Sequence, residues 1–220
     1  MRNLKLTLTY DGTRFVGWQK QARGESIQGL LEDALSQLEG ARVVAHGAGR
    51  TDAGVHAEGQ VASACVTFAH DVATVLRALN ARLPGEIRVV AAEEAPAEFH
   101  ARFSARGKSY RYQLANGPIV SPFVRAYAWH VPGALDLAAM REAAAALTGT
   151  HDFASFQGAG SDTSTTVRTL TRSALVERGG LLAYEVAGDG FLRHMVRAIV
   201  GTLVEIGRGR RPPAGVRGLL

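Results

Sequence analysis

Two hydrophobic periods follow one another along this chain in an order that few folds accommodate. Leu4, Leu6, Leu8 and Tyr10 alternate with Lys5, Thr7 and Thr9, the period of a half-buried strand. Ile27, Leu30, Leu31, Ala34, Leu35 and Leu38 then recur at helical spacing, with Ser26 placed to cap the start and Gly40 the end. Strands are predicted around residues 42–47 and 59–68. A second helix carries Val72, Val75, Leu76, Leu79 and Leu83 and stops at Pro84-Gly85, before a strand over Ile87 to Ala92. The order is β-α-β-β-α-β.

The second half repeats the plan. A strand is predicted over 101–116, with Tyr110, Tyr112 and Leu114 on one face, and a short one over 127–131. A helix follows through Leu137, Met140, Ala144 and Leu147, then a hairpin of 165–177 and 181–187. A last helix runs through Leu192, Met195, Val196, Ile199, Val200 and Leu203. A closing strand is missing, and residues 208–220 are rich in Arg, Pro and Gly. The expected fold is therefore α+β: two ferredoxin-like β-α-β-β-α-β halves, 1–98 and 99–220, sharing a mostly antiparallel sheet with a cleft between them.

Composition narrows the function classes. With 46% hydrophobic and 20% charged residues, the chain reads as an ordinary globular protein. No apolar run reaches the roughly 18 residues of a membrane span. The N-terminus enters its first strand without the apolar core of a signal peptide, so a cytoplasmic protein is expected. Cys65 is the single cysteine, which rules out an internal disulfide. Residues 1–98 carry 10 basic and 12 acidic side chains, a net of −2; residues 99–220 carry 15 and 8, a net of +7. Of the 25 basic residues 22 are arginine, which bonds phosphate bidentately and stacks on bases. A basic half of this kind is consistent with a nucleic-acid partner.

Three segments carry candidate chemistry. In Gly49-Arg50-Thr51-Asp52-Ala53-Gly54-Val55-His56-Ala57 a base and a carboxylate stand two positions apart in a loop between strands. Phe99 to Tyr112 has four basic residues and four aromatics with no acid, a composition suited to holding phosphates and stacking on unpaired bases. Arg193 and Arg197 are predicted i, i+4 neighbours on the last helix, where like charges call for an anion nearby. His46, Asp52 and His56 are the nearest approach to a metal-ligand set, and no Walker-type phosphate loop is present.

Taken together, Tyr10-Asp11-Gly12 with Gly17-Trp18-Gln19, Gly49 to Ala57, Phe99 to Tyr112, His151-Asp152-Phe153 and Phe191 to Gly201 resemble the TruA family of tRNA pseudouridine synthases, in order and over nearly the whole chain. The resemblance implies isomerisation of uridine to pseudouridine in the tRNA anticodon stem-loop, on the 3′ side of the anticodon. It also implies a homodimer that needs no cofactor and no catalytic metal. Asp52 matches the family's catalytic aspartate, Arg197 the basic partner that keeps such a carboxylate ionised, and Tyr110 the tyrosine packed against the base. A paired base must leave the stack to react, at a cost of a few kcal/mol, and Arg50, which matches the family's arginine beside the aspartate, is expected to fill the vacated space. Phe99, His100, Ala101, Arg102, Phe103, Arg106, Lys108 and Arg168 are the remaining candidates for RNA contact. Family members usually continue through another helical segment and a closing strand, so an exposed sheet edge is expected in the second half. Two other readings of the residues stay open: a non-catalytic RNA-binding protein with this fold, and a metal-dependent hydrolase using His46, Asp52 and His56.

Overall fold

The computed structural model describes residues 1–160 and 163–220. The chain divides into two compact units, Met1–Ala105 and Arg106–Leu220, each with its own core.

The first unit is built from β1 (Arg2–Tyr10), α1 (Ile27–Glu39), β2 (Ala45–Gly47), β3 (Ala57–Val66), α2 (Val72–Arg82) and β4 (Ile87–Ala95). Its sheet has the order β2-β3-β1-β4, and every pairing in it is antiparallel. Both β-α-β crossovers are thus split: β3 lies between β1 and β2, and β1 lies between β3 and β4, as the ferredoxin-like plan requires. The alternation in β1 places Leu4, Leu6, Leu8 and Tyr10 in the core, where they meet Ile27, Leu31 and Leu35 of α1 and Val75 and Leu79 of α2. Both caps expected on α1 form, and α2 has one of its own. Ser26 accepts from the Gly29 N–H, Asp71 caps α2 by accepting from Thr74, and Gly40 ends α1 in the left-handed region at φ 73°.

The opposite face of this sheet explains two buried polar residues. The Asn3 side-chain amide donates to the carbonyls of Pro96 and Phe99, at 3.0 and 2.7 Å. Ser63 Oγ accepts from Ala101 N–H at 3.1 Å. Residues 96–104 are thereby strapped to the first unit, and a Ser104 N–H to His100 C=O bond closes them into a turn. The predicted strand over 101–116 is accordingly shorter: β5 spans Lys108–Ala115.

The second unit contains β5, β6 (Trp129–His130), α3 (Leu137–Ala145), β7 (Gly149–Asp152), β8 (Val167–Arg178), β9 (Leu181–Gly188) and α4 (Met195–Gly207). The order is β6-β5-β9-β8-β7, antiparallel except for the two-residue β5–β6 pairing. The ladders therefore group as two mostly antiparallel sheets in an α+β protein, of four and five strands. β7 carries no alternating signal of its own and exists because β8 offers it an edge. Tyr110, Tyr112 and Leu114 face this unit's core, as their alternation predicts. Among the described residues no strand follows α4; a short 3-10 helix spans Pro213–Leu219. A buried hydroxyl pair ties the core together: Ser173 Oγ donates to the Ala144 carbonyl at 2.6 Å and lies 2.8 Å from the Tyr184 hydroxyl.

Candidate active site

The loop from Ala48 to His56 is held by close backbone packing and by hydrogen bonds from three directions. Gln60 Nε2 donates to the Gly49 carbonyl at 2.7 Å. The Tyr10 hydroxyl lies 2.9 Å from Thr51 Oγ1, and Trp18 N–H donates to the Thr51 carbonyl at 3.0 Å. Val55 N–H closes a turn onto the Asp52 carbonyl at 3.1 Å. His56 Nδ1 stands 3.1 Å from both the Gly12 N–H and Asp11 Oδ1. Unprotonated, that nitrogen accepts from Gly12; protonated, it donates to Asp11.

Glycines make these approaches possible. A Cβ on Gly12 would lie 2.0 Å from the Val55 carbonyl oxygen, and one on Gly47 would lie 2.4 Å from the Trp18 ring. The Tyr10 and Trp18 rings, both in the core, form the floor, with centroids 6.4 Å apart. Asp52 is therefore an exposed carboxylate on a loop whose preceding residues are anchored to buried groups. Arg50 is exposed beside it in sequence.

The strap over 96–104 carries a column of rings. His46 stacks near His100 with centroids 4.6 Å apart, His100 near Phe103 at 4.5 Å, and the Arg102 guanidinium caps Phe103 at 5.6 Å. Phe103 is 77% exposed, Ala101 is buried, and Lys5 Nζ lies 5.9 Å from the Phe99 ring. His46 thus joins an aromatic stack. No group of three or more His, Cys, Asp or Glu side chains among the described residues is arranged to hold a metal, so His46, Asp52 and His56 do not form the ligand set considered above.

In the second unit Tyr110 sits near the start of β5, half-buried, with its ring edge-on to Phe191 at 4.9 Å. Arg106 precedes β5 and is exposed; Lys108, its first residue, is half-buried. Arg197 is exposed in the first turn of α4. Arg193 is not its helical neighbour, because α4 begins only at Met195. His194 before it adopts the left-handed conformation at φ 57°, the one positive φ outside glycine among the described residues. Arg193 instead clamps its own unit's loop, donating to the carbonyls of Ala159 and Gly160 at 2.8 and 3.2 Å. Arg168 is likewise engaged locally, donating to the carbonyls of Thr165 and Val167 and to Thr163 Oγ1.

Sequence reasoning did not single out Tyr10, Gly12, Trp18 and Gln60 as parts of this site. Tyr10-Asp11-Gly12 and Gly17-Trp18-Gln19 were visible as loop motifs, but their role as the cradle of a loop some forty residues away depends on β1 pairing with β3. Gln60 gave no signal beyond its place in a strand.

Two α+β units, one presenting a braced carboxylate loop and a basic aromatic strap, define the architecture of the chain. The chain belongs to the tRNA pseudouridine synthase family, whose profile matches residues 7–104 and 143–220. It is 51% identical to the tRNA pseudouridine synthase A of Geobacter sulfurreducens, over 98% of this chain and 88% of the relative. The proteins of the same name from Roseiflexus castenholzii and Myxococcus xanthus are 48% and 47% identical; each alignment spans 100% of this chain and 83% of the relative.

Proposed function

We propose that this chain isomerises uridine to pseudouridine in the anticodon stem-loop of tRNA, with Asp52 as the reacting carboxylate. The observation that carries the reading is the loop itself: within a family that performs this isomerisation, Asp52 is an exposed carboxylate held on a loop anchored at Gly49 and Thr51. The net reaction breaks the C1′–N1 bond, forms C1′–C5, and moves one proton from C5 to N1, so it consumes no co-reactant. A carboxylate contributes by attacking C1′ or C6, or by assisting a glycal. Arg197 as its basic partner and Tyr110 as the group packed against the base enter through their match to the family's motifs. Arg50 takes the space vacated by a flipped base. The His46–His100–Phe103 stack under Arg102 supports RNA contact along Phe99 to Phe103, since exposed rings beside a guanidinium stack on bases without sequence preference.

Purified protein with unmodified tRNA transcript, read by pseudouridine mapping, tests the proposal. Asp52→Ala abolishes product while tRNA affinity stays within a few fold; full activity in Asp52→Ala refutes it. Salt-sensitive tRNA binding by the unaltered protein without any isomer would favour a non-catalytic RNA-binding protein instead. The same reading includes a homodimer acting in the cytoplasm. Sedimentation as a monomer at working concentration would contradict the dimer.

A further inference from the structure

We infer that Tyr10 is a positioning residue for this reaction, its hydroxyl setting the orientation of Asp52 through the side chain of Thr51. The inference rests on Asp52 being the reacting carboxylate. Tyr10 ends β1, is 3% exposed, and packs its ring in the core beside Trp18. Its hydroxyl meets Thr51 Oγ1 at 2.9 Å, while the Gln60 amide holds the Gly49 carbonyl at 2.7 Å. Two polar contacts, one from the end of β1 and one from β3, therefore hold the two ends of Gly49-Arg50-Thr51. Thr51 is fixed twice, by its hydroxyl and by its carbonyl on Trp18 N–H, and Asp52 is the next residue.

A tyrosine here has a reason that packing alone does not supply. Phenylalanine would fill the same core volume, and burying a hydroxyl is unfavourable unless it is bonded. This hydroxyl bonds the loop. Burial raises its pKa above the usual value, so it stays protonated and uncharged across the working range. Rigid support matters because errors of about 1 Å in the placement of a reacting group cost on the order of 100-fold in rate. The effect belongs in turnover: Tyr10 is buried within the first unit, away from RNA in solution, so its loss leaves tRNA affinity intact.

The test is a cycle of Tyr10→Phe and Thr51→Val, with Thr51→Ser as the variant that keeps the oxygen. Tyr10→Phe and Thr51→Val each lower kcat about ten-fold or more, with KM and tRNA affinity within two-fold of the parent, and the double variant loses no more than the worse single one. Thr51→Ser recovers most of the rate lost in Thr51→Val. The inference is overturned if folded Tyr10→Phe turns over within two-fold of the parent, if the loss lies in KM, or if the two losses multiply. Should Tyr10→Phe fail to fold, Thr51→Val against Thr51→Ser on the more exposed loop decides it, equal kcat in the pair overturning it. Asp52→Ala assayed in parallel separates the two claims. Activity in Asp52→Ala removes the underlying reading, whereas inactive Asp52→Ala beside fully active Tyr10→Phe removes only the role of Tyr10.

Discussion

Gly12→Ala offers a direct measurement of how tightly the carboxylate loop must be seated. The added Cβ would lie 2.0 Å from the Val55 carbonyl oxygen, 2.6 Å from its carbon and 3.1 Å from its nitrogen. Ordinary contact begins near 3.4 Å, and all three atoms are backbone, so no side chain can swing aside. The turn Asp52–Val55, closed by the Val55 N–H to Asp52 C=O bond, has to move by more than an ångström, and the Gly12 N–H bond to His56 moves with it. Displacement on that scale costs about 100-fold in turnover, equivalent to roughly 2.7 kcal/mol in the barrier. Single-turnover pseudouridine formation on a tRNA transcript reads the rate, and thermal unfolding by circular dichroism verifies the fold. Gly40→Ala is the matched comparison. Gly40 has φ 73° and nothing within 4 Å of its absent Cβ, so alanine there costs about 1–2 kcal/mol of stability and leaves turnover alone. Turnover within two-fold of the parent in folded Gly12→Ala, or an equal loss in Gly40→Ala, would refute the reasoning.

Two further outcomes concern stability. Ser173→Ala strips the bridge between the Ala144 carbonyl and the Tyr184 hydroxyl, both in the second core, and lowers unfolding free energy by about 1–3 kcal/mol in urea titration. No change would mean that both groups find other partners. Glu185, held ionised chiefly by its bond to Arg172 at 2.6 Å and aided by Arg111 and Arg178, has its pKa lowered. Its stabilising contribution is present above the unfolded value of about 4.3 and is lost as pH falls through the lower folded value. Glu185→Gln therefore narrows the difference in melting temperature between neutral and strongly acid solution, by an amount set by a partly exposed ion pair of about 0–1 kcal/mol. An unaltered acid limb would contradict that assignment.

What was legible in the sequence was local. Ser26 and Gly40 sit within one helical turn of the groups they cap, and the alternation of β1 and the spacing in α1 report which face each element buries. The Asp52 loop was legible for the same reason, as nine consecutive residues. Where the expectation failed, the deciding partner was distant. The strand predicted from residue 101 begins at Lys108 because Asn3 and Ser63, separated from the strap by 38 to 96 positions, bind residues 96–101 first. The helix predicted from Leu192 starts at Met195 because Arg193 is drawn to carbonyls some 33 residues earlier, and His194 turns left-handed in between.

The sequence by itself determined the order of elements, the faces they bury and the carboxylate loop, because each follows from side-chain period and from bonds spanning a few residues. Only the tertiary structure decided what holds that loop. Tyr10, Gln60, Trp18 and Gly12 converge on it once β1 and β3 pair, and the distances that allow a hydroxyl to bond Thr51 or exclude a Cβ at Gly12 exist only between segments that the folded sheet brings together.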